Sequence, residues 1–311
     1  MPLKISSSPH LHGRRSTARL MGDVLISLTP CVLAASLFFG LRAFLVILFC
    51  ASLSVGLEAL CRLVMKREQT VWDGSAAVTG VLLALCLPSD IPLGMAAIGC
   101  AVAIIVVKQM FGGLGNNFVN PALTARIVML VSFPAQMSTS GRNFAFPDGV
   151  TAATPLSAQM PSEAQDLFDL LIGKVGGAMG EGCKIAILLG LVYLLIRRVI
   201  SPVIPAFMVG TVALFCLLVG ENVGVQLLSG GLLFGAVFMA TDYVTSPMTV
   251  KGQIIYAVGC GLFTVLIRLY ASLPEGVSYA IVLMNIVTPL IDRVCRPRPY
   301  GQRKKRGGKR A

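Results

Sequence analysis

Two similar stretches of sequence decide the fold, and they read GVLLALCLPSDIP at residues 80–92 and GAVFMATDYVTSP at residues 235–247. Each begins as an apolar run at a glycine and reaches an aspartate and a proline at its end. They lie at equivalent places, before the fourth and the ninth of ten apolar segments. A duplicated unit with an odd number of spans is inverted relative to its copy, and such repeats place ligands at their interface. The alternative is a chance match, because membrane helices commonly end in this way.

The composition around these stretches is that of a membrane protein. Of the 311 residues, 55% are hydrophobic and only 13% are charged, so a water-soluble fold would have to expose a large apolar surface. The formal charge of +12 does not indicate nucleic acid, because the basic residues flank apolar runs or lie in the tail and form no stripe interleaved with aromatic residues. We therefore expect an all-α polytopic membrane protein in contact with lipid and not with nucleic acid.

Ten apolar segments are candidates for transmembrane helices. A full crossing needs about 20 residues, and fewer when a helix is broken near the midplane of the membrane. The third and fifth segments are short, which leaves a count of eight or nine open. The segments are residues 21–40, 43–65, 75–87, 93–110, 121–133, 183–196, 203–220, 225–240, 254–270 and 277–294.

The segments group into two membrane repeats of five, residues 21–133 and 183–294, with a polar loop at 134–182 between them. A basic head, residues 1–20, and a basic tail, residues 295–311, complete the chain. Short cytoplasmic loops are enriched in Lys and Arg, and these residues concentrate in the head, around Arg62, at Arg197 and Arg198, and in the tail. Both termini are therefore predicted to be cytoplasmic, and the polar loop, which follows five crossings, is predicted to lie outside.

Neither a metal site nor a catalytic residue is predicted. The nine cysteines lie mostly inside apolar segments and form no CxxC pair, and in such places cysteine behaves as a small hydrophobic residue. The two histidines, His10 and His12, stand in the polar head and cannot build a buried zinc site alone.

The polar loop contains the heptad DGVTAAT at residues 148–154, followed by Pro155. A turn of this kind presents the hydroxyls of Thr151 and Thr154 beside the Asp148 carboxylate. The small Ala153 leaves room for a modifying enzyme and a nucleotide, and a carboxylate at 148 is suited to the Mg²⁺ that accompanies a pyrophosphate donor. The alternative is an ordinary loop with a capping aspartate.

Two further strings contain candidate binding residues. GGLGNNFVNPA at 112–122 includes Gly113 and Asn120, and it predicts either the wall of a flavin-like or quinone-like pocket or a tight connection whose asparagine caps the next helix. MATDYVTSP at 239–247 includes Asp242 and Thr245, and it predicts either an ion site or flavin anchor or a capped turn in headgroup water.

Two charged or aromatic positions have a structural interpretation. Glu58 lies inside the second span, and Arg62, one helical turn further on, is its expected salt-bridge partner. The stretch from Trp72 to Ser75 predicts an interfacial aromatic residue followed by a helix cap.

The heptad resembles the flavinylation motif Asp-x-x-Ser/Thr-x-Ala-Thr, in which the hydroxyl of the last threonine is joined to the phosphate of FMN. The whole chain resembles the family of membrane subunits that includes the D subunit of the Rnf electron-transport complex and, less closely, the B subunit of the sodium-translocating NADH:quinone reductase. The resemblance is carried, in order, by SPH at 8–10, DGSAAVTG at 73–80, the string at 112–122, the heptad, and TDYVTSP at 241–247.

The resemblance implies a membrane subunit of an ion-translocating ferredoxin:NAD⁺ oxidoreductase in the bacterial inner membrane, which relays electrons and couples them to pumping of Na⁺ or H⁺. It implies FMN bound covalently to Thr154, leaves room for a second, non-covalent riboflavin, and predicts inverted repeats similar to those of urea transporters. The expected partners are the other membrane and peripheral Rnf subunits and a flavin transferase, and the chain is not expected to catalyse alone.

One stretch departs from the family, and one other function stays open. Where the family often has Gly-x-Asn-Pro-Phe-Asn-Pro, this chain has NNFVNP at 116–121, which leaves the details of that pocket open. The alternative function is a stand-alone channel or carrier for a small polar solute, and a third possibility is an inert assembly scaffold.

Overall fold

The computed structural model describes residues 16–137, 167–173, 177–271 and 276–296. Within these ranges every regular element is a helix. Three helices are long and apolar enough to cross a membrane, Thr17–Val64, Val250–Tyr270 and Gly276–Val294, and five shorter apolar helices accompany them. The prediction of an all-helical membrane protein is therefore confirmed.

The first half of the described chain is organised around α1, Thr17–Val64, which starts at the N-cap Ser16. Its backbone leaves helical geometry at Gly40, where φ is 77°, a value that glycine adopts without the strain that a Cβ would cause. The run therefore consists of two helices, residues 17–39 and 41–64, close to the first two predicted segments. The next elements are a 3₁₀ turn Val71–Asp73, α2 Ser75–Leu85, α3 Leu93–Ala101 continued by a π-helical segment Val102–Gln109, α4 Pro121–Ser132 and α5 Pro134–Met137.

The second half contains seven helices and two further irregular turns within the described ranges. They are α6 Leu167–Ile172, a 3₁₀ turn Met179–Glu181, α7 Lys184–Ile196, α8 Val203–Val219, α9 Val223–Leu228, α10 Leu232–Phe234 continued by a π-helical turn Gly235–Met239, α11 Val250–Tyr270 and α12 Gly276–Val294.

The predicted eighth segment, 225–240, contains two helices with a break between them. The chain leaves helical geometry between α9 and α10, where Gly230 has a φ of 65°. Arg268 of α11 donates hydrogen bonds to the main-chain oxygens of Gln226 at 2.7 Å and Ser229 at 3.2 Å. Because carbonyls at the end of a helix lack intrahelical partners, this guanidinium stabilises the break.

The helices pack tightly inside and expose apolar side chains outside. Helix α1 packs against α2 and α7, α11 packs against α8 and α12, and α4 contacts both α2 and α12. A Cβ at Gly80 would lie 2.5 Å from the Cys50 carbonyl oxygen, so only glycine permits the approach of α2 to α1. In contrast, Leu37 and Leu218 are each 74% exposed, as expected for surfaces that face lipid.

Helix α2 starts within the stretch where the cap was predicted, and its N-cap is a glycine. The N-cap residue is Gly74, with a φ of 72°, and no side chain caps this helix end. Ser75 is the first helical residue, and its hydroxyl accepts a hydrogen bond from Lys108 at 2.7 Å. Trp72 is 91% exposed, as an interfacial aromatic residue would be.

Candidate functional site

A partly open cavity of about 80 Å³ lies between the N-terminal ends of α2 and α4 and the segment that follows the π-helical turn 235–239. A single water molecule needs roughly 10–15 Å³ by the same measure, so the cavity has room for several waters or for part of a larger ligand. Three of the stretches singled out in the sequence, 73–80, 112–122 and 239–247, meet in its wall.

The cavity has apolar walls and a set of polar groups. Side chains of α1, α2 and the π-helical turn supply the apolar part, among them Met21, Val78, Leu82, Val237 and Phe238. The polar lining residues are Ser75, Thr79, Lys108, Asn117, Asn120, Thr241, Asp242 and Tyr243. Apolar walls with a few convergent polar groups are typical of small-molecule and cofactor sites.

Asn120 is the structural anchor of this wall. Its side-chain oxygen accepts hydrogen bonds from the main-chain N–H groups of Ala122 at 3.0 Å and Leu123 at 3.3 Å, which makes it the N-cap of α4. Its Nδ2 donates to the main-chain oxygen of Met239 at 3.2 Å. The predicted cap with Pro121 in the first turn is confirmed, and the same residue also contacts the other motif.

A second asparagine supports Asn120 from α12. With the Asn285 amide oriented so that its nitrogen donates to the hydroxyl of Tyr256 at 2.7 Å, its oxygen accepts from the Asn120 main-chain N–H at 3.1 Å. This orientation is assigned from the hydrogen-bond network. Both supporting side chains are buried, so the start of α4 is held by groups of the other half of the chain.

Asp242 and Thr245 form a local hydrogen-bonded turn beside the cavity. The Thr245 hydroxyl donates to Asp242 Oδ2 at 3.2 Å, and the Val244 N–H donates to Oδ1 at 3.5 Å. Burial raises the pKa of the Asp242 carboxyl above its ordinary value, and these hydrogen bonds oppose the rise because they stabilise the carboxylate. Asp242 lines the cavity, whereas Thr245 acts on it through Asp242.

Lys108 is the cavity residue that the sequence-based prediction missed. It lies in the π-helical segment Val102–Gln109 and is 2% exposed. Its Nζ lies 3.1 Å from Glu58 Oε2, and Gln109 Nε2 donates to Glu58 Oε1 at 2.8 Å. The sequence contains a signal for it, because Lys108 is the one charged residue of the apolar segment 93–110. Ionisable residues inside a membrane are usually functional.

The expected pairing of Glu58 with Arg62 is present but is not the shortest one. Arg62 Nε lies 3.7 Å from Glu58 Oε1, farther than the 3.1 Å between Glu58 and Lys108. Arg62 also donates to the main-chain oxygen of Glu68 at 2.7 Å. The carboxylate of Glu58 is thus shared by two cations.

Gly113 belongs to this ionic network and does not line the cavity. Its φ is 95°, and a Cβ at this position would lie 2.7 Å from Arg62 Nη2. The structure therefore brings Asn120, Asp242 and Thr245 together but places Gly113 beside the Glu58 network.

A second buried ion pair joins α4 to the chain before α7. Arg126 Nη2 lies 3.1 Å from Glu181 Oε1, and both side chains are buried. Lys184 donates to the main-chain oxygen of Glu181. A Cβ at Gly231 would lie 2.8 Å from Glu181 Oε1, so the break between α9 and α10 packs directly on this carboxylate. These residues do not line the cavity.

The heptad residues Asp148, Thr151, Ala153 and Thr154 lie outside the described residues. Their roles stay predictions from the sequence.

The fold and the cavity together define a helical membrane protein with a partly open, partly polar cavity. A family model described as the NQR2, RnfD, RnfE family matches residues 4–301. The chain belongs to this family.

Curated relatives match over nearly the whole chain. The chain is 48% identical over 306 residues to the D subunit of the Na⁺-translocating ferredoxin:NAD⁺ oxidoreductase complex of Acetobacterium woodii, covering 96% of this chain and 95% of the relative. It is 41% identical to the D subunit of the proton-translocating ferredoxin:NAD⁺ oxidoreductase complex of Clostridium ljungdahlii, covering 96% of each chain. It is 38% identical to the D subunit of the ion-translocating oxidoreductase complex of Stutzerimonas stutzeri, covering 93% of each.

Proposed function

We propose that the chain is the membrane-embedded D subunit of an ion-translocating ferredoxin:NAD⁺ oxidoreductase complex of bacteria. It works with the other subunits of that complex as part of a redox-driven translocase. The observation that carries this proposal is the similarity over 96% of the chain to subunits whose names state this activity. One such relative translocates Na⁺ and another translocates protons, so the ion for this chain is one of the two.

The chain's part in this activity is to relay electrons through flavins. The first flavin is FMN, joined through its phosphate to the hydroxyl of Thr154. The heptad with Asp148, Thr151 and Ala153 supports this assignment through its match to the flavinylation motif. A phosphoester of this kind needs an accessible hydroxyl that a flavin transferase can reach, and a polar loop between two membrane repeats provides one.

The second flavin, a non-covalent riboflavin, binds in the cavity between α2, α4 and Asp242. An isoalloxazine ring needs apolar surfaces for its faces and hydrogen-bonding groups for its carbonyls and imide. Asp242 supplies acceptor oxygens for an imide N–H. Asn117 and Asn120 each use one amide N–H for a main-chain carbonyl, of Val119 and Met239 respectively, and an amide has two such donors. When bound there, a flavin would supply one- and two-electron transfer.

The membrane topology follows from an inverted repeat of five spans. Two contacts between the halves support it, because residues 17–39 of α1 pack on α7 and α4 packs on α12. These contacts pair the first span with the sixth and the fifth with the tenth, which is compatible with a two-fold relation between the repeats. The loop charges place both termini in the cytoplasm and the Thr154 loop outside, so that the two flavins lie toward opposite sides of the membrane.

The covalent flavin is tested by fluorescence of the denatured protein under ultraviolet light after gel electrophoresis. The chain is expressed with a flavin transferase, and the Thr154→Ala variant is expected to lose the fluorescence. Ser157→Ala, which removes a hydroxyl just beyond the heptad, is the matched control and is expected to keep it. A dark band for the unaltered chain, together with solute flux through liposomes that contain it alone, would instead support a stand-alone carrier.

A further inference from the structure

Lys108 connects the cavity to a buried ionic network that the proposed function does not use. Its side chain lines the cavity, and its ammonium contacts Glu58 Oε2 at 3.1 Å and Ser75 Oγ at 2.7 Å. A lysine ammonium has three N–H donors. Glu58 and Ser75 are close acceptors for two of them.

The charged groups around Lys108 are two carboxylates and one further cation. Glu58, 1% exposed, is the buried carboxylate, and it is shared by Lys108 and Arg62. Asp73 interacts with Lys108 from the 3₁₀ turn before α2. Asp242 also lines the cavity. Among these groups, Lys108 is the cation that lines the cavity.

One helix end adds positive potential beside Lys108. Ser75, the N-terminal residue of α2, lines the cavity, and no side chain caps this helix end. The N-terminus of a helix carries a partial positive charge from its unpaired N–H groups. Lys108 and this helix end thus act in the same direction.

We infer that the charge of Lys108 stabilises the electron-rich, reduced form of an isoalloxazine ring bound in this cavity. The inference rests on the second flavin of the proposed function. Reduction of such a ring by two electrons and one proton, taken from the electron path of the complex and from solvent, leaves it with one negative charge. A neighbouring ammonium lowers the free energy of that anion and so raises the reduction potential of the ring.

Glu58 is expected to shift the reduction potential of the bound flavin in the opposite direction to Lys108. The sign of each shift can therefore be tested. Its carboxylate neutralises part of the charge of Lys108. Removal of the lysine charge is therefore expected to lower the reduction potential of the bound flavin, and removal of the glutamate charge is expected to raise it. A role of the pair in packing alone would not produce shifts of opposite sign.

The experiment uses the full chain purified in detergent with Thr154→Ala, so that non-covalent flavin is the only flavin expected in it. Flavin content is measured after denaturation, and the midpoint potential of the bound flavin is measured by spectroelectrochemical titration. Relative to this background, Lys108→Met is expected to shift the potential to more negative values and Glu58→Gln to more positive values. Lys108→Arg, which keeps the charge, is expected to stay near the background.

Two outcomes would overturn the inference, and they can be told apart. Equal potentials for the background and Lys108→Met, with flavin bound to both, remove the role of Lys108 and leave the second flavin in place. Absence of non-covalent flavin from the background chain removes the second flavin and this inference with it. If Lys108→Met does not fold, the Glu58→Gln/Lys108→Met double variant, which replaces the pair by neutral side chains, takes its place with the same expected negative shift relative to Glu58→Gln.

Discussion

Asn120 Nδ2 donates a hydrogen bond to the main-chain oxygen of Met239 at 3.2 Å, across 119 residues of sequence. The bond joins the start of α4 in the first half of the chain to the end of the π-helical turn in the second half. Because the oxygen of the same amide caps α4, one side chain both caps that helix and links it to the opposite half of the chain beside the cavity.

The first prediction concerns this double role. Asn120→Ala removes an N-cap, which costs about 1 kcal/mol, and a buried hydrogen bond worth about 1 kcal/mol, so we expect a loss of stability of roughly 2 kcal/mol and a lower content of non-covalent flavin. Asn222→Ala is the matched control, because Asn222 caps α9 through the Val225 N–H at 3.5 Å and does not line the cavity. Thermal unfolding can be followed with a thiol-reactive dye, since seven of the nine cysteine thiols are buried in the folded chain.

Equal flavin loss in both variants would show that the effect comes from general destabilisation. Loss of flavin in Asn120→Ala alone would show that Asn120 supports flavin binding in the cavity.

The second prediction separates backbone strain from steric clash at two glycines of one loop. Gly113 and Gly115 both have a φ of 95°, so alanine costs about 1 kcal/mol of backbone strain at either position. A Cβ at Gly113 would also lie 2.7 Å from Arg62 Nη2, whereas a Cβ at Gly115 meets nothing within 4 Å. Gly113→Ala is therefore expected to lower the unfolding temperature more than Gly115→Ala. The same thermal assay measures both, and equal shifts would contradict the placement of Arg62 against Gly113.

The third prediction is a pH dependence from Asp242. Because burial raises its pKa in the folded protein, the folded state binds this proton more tightly than the unfolded state does. In the window between the ordinary value, about 3.9, and the raised value, stability therefore falls as pH rises. Asp242→Asn removes the titration, so the unfolding temperature of the wild type is expected to fall relative to this variant as pH rises through the window.

Thr245→Val is the control for the direction of this pH dependence of stability. It removes the hydroxyl that donates to Asp242 Oδ2 and so removes an interaction that holds the pKa down. The window is expected to extend to higher pH, and an unchanged or narrower window would contradict the assigned cause.

The sequence predicted the helical segments well because each apolar run is bounded by glycine, proline or charge. It missed the break after Leu228, although Ser229, Gly230 and Gly231 follow there and such residues are a local turn signal. The break depends on Arg268, about 40 residues later in sequence, which binds the carbonyls at the end of α9. The position of the break could therefore have been found from the sequence, but its partner Arg268 could not.

The candidate site was predicted in pieces. Asn120 and Asp242 were each singled out within their own motif, but nothing in the sequence shows that the two motifs meet. Glu58 was assigned to Arg62 because the spacing of four residues places both on one helix face. Lys108, 50 residues away, is closer to Glu58, and this pairing arises only when α1 and the π-helical segment pack together.

The last prediction compares a buried ion pair with an exposed one. Glu181→Gln removes the negative charge that faces the buried guanidinium of Arg126 at 3.1 Å, and breaking such a pair costs about 3–5 kcal/mol. Asp90→Asn removes the partner of Arg42, at 3.8 Å in an exposed pair, and such pairs contribute about 0–1 kcal/mol. We therefore expect a large fall in unfolding temperature for the first variant and little change for the second. Similar shifts in unfolding temperature for the two variants would mean that water reaches Glu181, which would contradict the burial of this ion pair in the structure.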